Sequence, residues 1–199
     1  MLARNRASQL ALVAAVATLM TACLPYLRTG YEVIGTGDRV RSQYVWFIQD
    51  SLRMRAHNGV TILISAFTES SGGLDVRLEM DIPKGSRTRW LASDVTYRSP
   101  AWDKPRSGGF SDVIDYRGGQ WKPTDYLEGT RSGGWWDNGA LYYTSLGSAE
   151  GRNLIGDSDN PIQEFSIDLP QLEIDGKPFD PGTITVRRYN KLGVDVLAQ

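Results

Sequence analysis

The sequence is short of the residues that most often carry chemistry. Its 199 residues include one Cys and one His. A lone Cys excludes a disulfide framework within the chain, which needs a pair. Structural zinc is excluded on similar grounds, because such a site takes four Cys or His ligands and only Cys23 and His57 are present. Any nucleophile activated by an imidazole has to use His57. Charge of one sign is missing too, since 22 Lys and Arg stand against 23 Asp and Glu. A chain so balanced has no electrostatic footprint for nucleic acid, and none is expected as a partner. Neither a Gly-x-Ser-x-Gly elbow nor a phosphate-binding glycine loop occurs. No enzymatic activity, cofactor or metal is therefore expected. What the chain does have is aromatic rings and glycine: 6 Trp, 9 Tyr, 5 Phe and 21 Gly.

The first residues read as an address. Arg4 and Arg6 form a short positive region with no opposing acid. Residues 10–20 (LALVAAVATLM) are an apolar run of 11. A membrane span needs about 20 such residues, whereas 7–15 suit the apolar region of a secretory signal peptide. Leu19-Met20-Thr21-Ala22-Cys23 follows. This motif resembles the lipobox of bacterial lipoproteins, with Met20 where that family prefers Leu. The resemblance covers residues 1–23. It implies cleavage before Cys23 and acylation of Cys23, which becomes the first residue of the mature chain. It also implies a bacterial cell-envelope protein held at the membrane through lipid on Cys23. Leu24 stands where an Asp would signal inner-membrane retention, which implies the outer membrane and a domain facing the periplasm. An ordinary signal-peptidase cut after Ala17 would leave a very short apolar region. A cut after Ala22 would place Met20 where a small residue belongs. Removing residues 1–22 leaves 177 residues, all 20 aromatics and a net charge of -3.

The expected organisation is a signal peptide at 1–22, a lipidated tether at 23–30 and one β domain over 31–199. Residues 74–82 carry apolar side chains at every even position, the period of a half-buried strand. Residues 60–67 are apolar on both faces and fit a central strand, and residues 40–48 have a similar pattern. Phe165, Ile167 and Leu169 alternate with polar residues, and so do Leu172, Ile174, Ile184 and Val186. Asn58-Gly59 and Asp175-Gly176 are dipeptides that favour hairpin turns, because both central residues take positive φ. The segment 51–57 suits a strand or two turns of helix. About nine to eleven short antiparallel strands in an all-β sandwich or partly open barrel follow from this pattern.

Residues 99–139 differ from the rest, with 8 Gly and 3 Pro in 41 positions but four of the six Trp. Disordered segments are poor in aromatics, so ordered loops and short strands anchored by Trp are expected. Arg-Ser-Gly-Gly occurs at 106–109 and 131–134, and its glycine pairs suggest turns and bulges. Trp135, Trp136, Asp137, Asn138, Tyr142 and Tyr143 combine flat rings with hydrogen-bonding groups, the ingredients of a sugar-binding platform. Adjacent Trp135 and Trp136 would equally suit opposite faces of one strand, one in the core. Asp103, Asp112, Asp115, Asp125, Glu128 and Asp137 supply carboxylates for a hydrolase, although spacing alone cannot set two of them across a cleft. Residues 157–160 (DSDN) resemble the start of a calcium loop, but Pro161 interrupts it and a turn is the simpler reading. Arg187, Arg188 and Lys191 form a small basic cluster. The reading that best fits the whole is a membrane-anchored envelope protein acting as a binding or structural module. Its partner is expected to be an envelope protein or a glycan.

Overall fold

A computed structural model describes residues 25–44, 47–68, 74–115, 118–129, 139–148 and 162–194. The lipobox, the Trp135–Trp136 pair with Asp137 and Asn138, and residues 157–160 lie outside the described residues. The chain forms two compact units. The larger is Gly30–Arg188, and the smaller combines Met1–Thr29 with Tyr189–Gln199. Within the smaller unit, residues 25–29 and 189–194 are described, and all of them are β-strand.

In chain order the strands are β1 (Pro25–Ile34), β2 (Asp38–Tyr44), β3 (Phe47–Arg55), β4 (Thr61–Thr68), β5 (Leu74–Pro83), β6 (Arg87–Trp90), β7 (Asp94–Arg98) and β8 (Arg106–Phe110). Then follow β9 (Val113–Asp115), β10 (Gln120–Trp121), β11 (Leu127–Glu128), β12 (Gly139–Ser148), β13 (Glu164–Asp168), β14 (Leu172–Ile174), β15 (Lys177–Phe179) and β16 (Thr183–Val194). No α-helix occurs among the described residues; a single 3-10 turn spans His57–Gly59. The fold is all-β, as the alternation predicts.

Ten strands of the larger sheet run in the order β1-β16-β13-β7-β8-β12-β5-β4-β3-β2, with β9 beside β12 and β10 beside β9. The smaller sheet has the order β11-β6-β14-β15. β5 lies between β4 and β12. Its even positions, from Leu74 to Ile82, are buried and its odd positions face outward, as the period of two requires. In β4, Ile62, Ile64 and Ala66 are buried on one side. Ser65 is buried as well, and its hydroxyl meets that of Ser51 at 2.8 Å, so each satisfies the other. The two sheets share one apolar core. Trp90 of the smaller sheet is fully buried and stacks on Phe110 of the larger one at 4.7 Å. Trp102 and Trp121 pack against this core, which is the anchoring role expected of the Trp-rich segment.

Three expectations need correction. Residues 40–48 are not one strand. β2 and β3 pair antiparallel with Tyr44 opposite Phe47, so the apolar stretch belongs to a hairpin that no Gly or Pro marks. The described residues form sixteen strands rather than nine to eleven. Five of the sixteen, β9, β10, β11, β14 and β15, have only two or three residues, too few to show a period. Gly108-Gly109 sits inside β8 rather than in a turn. A Cβ on Gly109 would stand 3.0 Å from the Ser93 carbonyl, so the missing side chain allows that backbone approach. β1 begins at Pro25, within the span 23–30 read as a tether. Asp175 and Gly176 adopt φ of 50° and 78° in the β14–β15 turn, the conformation their dipeptide predicts. Residues 51–57 resolve as the end of β3 followed by the 3-10 turn.

Candidate functional site

The most developed polar cluster lies on the outer face of the smaller sheet. β6 alternates: Thr88 and Trp90 are buried, while Arg87 and Arg89 face outward. In register, Arg89 stands opposite Glu173 of β14, and Arg87 opposite Glu128 of β11. The segment before β11 folds back through a turn held by the Asp125 carboxylate, which accepts the Lys122 N–H at 2.8 Å. The Pro123 carbonyl then accepts the Trp90 N–H at 3.2 Å. These two bonds bring Tyr126 onto the arginines. The guanidinium carbons of Arg87 and Arg89 lie 4.7 and 4.5 Å from the centre of its ring. The Tyr126 hydroxyl donates to Glu173 Oε1 at 2.6 Å, and Arg89 Nη2 donates to Glu173 Oε2 at 3.1 Å.

The electrostatics follow from these contacts. The hydrogen bond from Tyr126, and then that from Arg89, hold the Glu173 carboxyl below the usual range. The same bond to Glu173 is the main cause that raises Tyr126, because losing the phenolic proton would set two anions side by side. Asp175 closes the cluster at one end. It accepts the Arg87 N–H at 2.8 Å and the Asn58 side-chain amide at 2.6 Å, and these bonds lower its pKa. Beside it, His57 Nε2 is 3.2 Å from the Ile174 carbonyl. The turn between β3 and β4 is thus clasped to the turn between β14 and β15.

Of the residues singled out from the sequence, Asp125 and Glu128 border this cluster. Tyr142 is buried. Its hydroxyl donates to the Glu128 carbonyl at 2.8 Å and its ring meets Trp121 edge-on at 5.3 Å. It is a core residue and not an open platform, because β12 turns its position 142 inward opposite Met80. Tyr143 stands opposite Glu79 and Ile114 in register. Trp135, Trp136, Asp137, Asn138 and Cys23 lie outside the described residues. Of the carboxylates, Asp115 accepts the Gly119 N–H at 2.9 Å, so it and Asp125 both hold their own turns. Asp103, Asp112 and Glu128 are exposed. Arg187 of the basic cluster pairs with Glu164 at 2.6 Å and approaches Glu32 at 4.0 Å. A separate groove of about 300 Å³ is lined by Asp38, Arg53, Arg55, Phe179 and Asp180 among others. Arg55 and Asp38 lie 3.5 Å apart there.

Sequence reasoning missed Tyr126, Arg87, Arg89 and Glu173. The signal available was the tetrapeptide Arg87-Thr88-Arg89-Trp90, whose alternation sets two arginines on one face of a short strand. No protein-family model, curated protein or solved structure matches the chain.

Proposed function

We propose that this chain is a bacterial envelope lipoprotein, anchored through lipid on Cys23, whose β fold acts as a binding or structural module. The observation that carries the reading is the run from Arg4 and Arg6 through the apolar residues 10–20 to Leu19-Met20-Thr21-Ala22-Cys23. Each buried CH2 of an acyl chain contributes about 0.8 kcal/mol, so several chains on one residue hold a domain at a bilayer. A binding role is favoured over hydrolysis by the engagement of Asp115 and Asp125 in their own turns.

The test is replacement of the attachment residue. The full chain, expressed in a bacterium fed an alkyne-bearing fatty acid, is expected to carry the label and to fractionate with membranes. The Cys23→Ala variant is expected to lose both. An unlabelled wild-type chain, or a variant that remains in the membrane fraction, overturns the reading.

A further inference from the structure

We propose that the outer face of the smaller sheet binds an anionic saccharide: a sugar ring stacks on Tyr126, and the carboxylate or phosphate it carries pairs with Arg87. The proposal rests on the binding-module reading above and names a ligand class for it. It moves the contact from the Trp135 segment to residues that the sequence did not single out.

Three observations carry it. First, three large apolar side chains are well exposed: Leu91, Ile114 and Tyr126. Tyr126 is the one aromatic of the three, with 38% of its surface open. Second, it is held in place before any ligand arrives. The bond to Glu173 fixes the hydroxyl and two guanidinium groups rest against the ring. A ring ordered in advance loses little freedom on binding. Third, the two arginines are not equivalent. Arg89 is ion-paired with Glu173. Arg87 is exposed and has no carboxylate partner among the described residues, so its forked donors are open to an oxyanion.

The surroundings favour a saccharide over a protein surface. One ring bordered by charged groups is far from the several hundred Å² of continuous apolar area that marks a protein-docking patch. A pyranose matches it better, with an apolar C–H face for the ring and hydroxyls at the edge. Glu128, exposed and opposite Arg87 in register, is placed to accept those hydroxyls. The other nearby carboxylates, Glu173 and Asp175, feel the charge of Arg87 but are hydrogen-bonded elsewhere: Glu173 to Tyr126 and Arg89, and Asp175 to Asn58 and the Arg87 backbone N–H.

The experiment is an NMR titration of the full chain in detergent micelles with four probes: trigalacturonate, a phosphorylated maltotriose, maltotriose and inorganic phosphate. The charged trisaccharides are expected to shift the Tyr126 ring and Arg87 side-chain signals. They should bind about tenfold or more tightly than maltotriose or phosphate, as one added charge-assisted contact implies. Which of the two binds more tightly separates a carboxylate from a phosphate ligand. Arg87→Gln should bring the charged trisaccharides down to the affinity of maltotriose. Tyr126→Ala should remove binding of both, while Tyr126→Phe, which keeps the ring, should retain it. The proposal is overturned if inorganic phosphate binds as tightly as the charged sugars, if Arg87→Gln changes nothing, or if no probe moves these signals in the folded protein. Membrane fractionation of Cys23→Ala does not depend on Tyr126, so failure here leaves the anchor reading standing and the converse also holds.

Discussion

Tyr126 and Glu173 push each other's titration apart, and the direction of each shift sets where their contact contributes. The carboxyl of Glu173 is lowered, so its stabilisation is present above its ordinary pKa of 4.5 and disappears as pH falls through the lower folded value. The phenol of Tyr126 is raised, so its share is present below its ordinary 10.0 and is lost as pH rises through the higher folded value. Tyr126→Phe removes the hydrogen bond that is the first cause of both shifts. The Glu173 carboxyl is then expected to move up toward 4.5, read from its side-chain carbon signal across an acid titration. A second single-residue effect is steric. A Cβ on Gly129 would collide with the Pro83 carbonyl, and the Gly129 N–H is bonded to the Ser86 carbonyl at 2.8 Å. Backbone on both sides leaves little room to give. Gly129→Ala should therefore cost about 1–3 kcal/mol or more in urea unfolding, the range for overpacking. Gly176 has nothing within 4 Å of its would-be Cβ, so its constraint is the positive φ alone.

At the scale of the element, strands were readable in proportion to their length and to the contrast between their faces. β5 and β13 announce themselves because each buried position alternates with a polar one. The β2–β3 reversal was invisible because Tyr44 and Phe47 sit in one apolar stretch without turn residues. β10 and β11, at two residues each, exist only through their partners β9 and β6. The Tyr126 cluster was hidden for a related reason. Nothing near position 126 announces it, since its neighbours come from β6 and β14, far along the chain. The anchoring roles of Trp102 and Trp121 were legible, because aromatics in a Gly-rich stretch need an apolar seat. β6 also contains an element-level conflict. Thr88 is fully buried and its hydroxyl has no partner among the described residues. Thr88→Val keeps the shape and removes the unsatisfied group, so it should raise stability by about 1 kcal/mol in urea unfolding. Ser51→Ala does not share this expectation, because its hydroxyl is paired with that of Ser65.

For the whole molecule, protection should follow position in the sheets. β4, β5 and β12 are flanked on both sides along much of their length, whereas β2 and β15 end their sheets. Hydrogen exchange should therefore be slowest at Ile64, Leu78 and Met80 and faster along β15, with local opening at the edges well below the global free energy. Equal rates in the centre and at the edge would contradict the described strand order. The clasp between Asn58 and Asp175 joins residues 117 positions apart. β6 likewise needs Glu173, 84 positions beyond Arg89. Such distant pairings place the fold among those that close in milliseconds to seconds rather than microseconds. They also impose an order during synthesis. At 5–20 residues per second, the turn holding Asn58 waits roughly 6–23 s for Asp175 to be made. Within that interval β6 and then the Tyr126 segment are made before β14 and Glu173 exist, so this face of the protein cannot be completed until β14 is made.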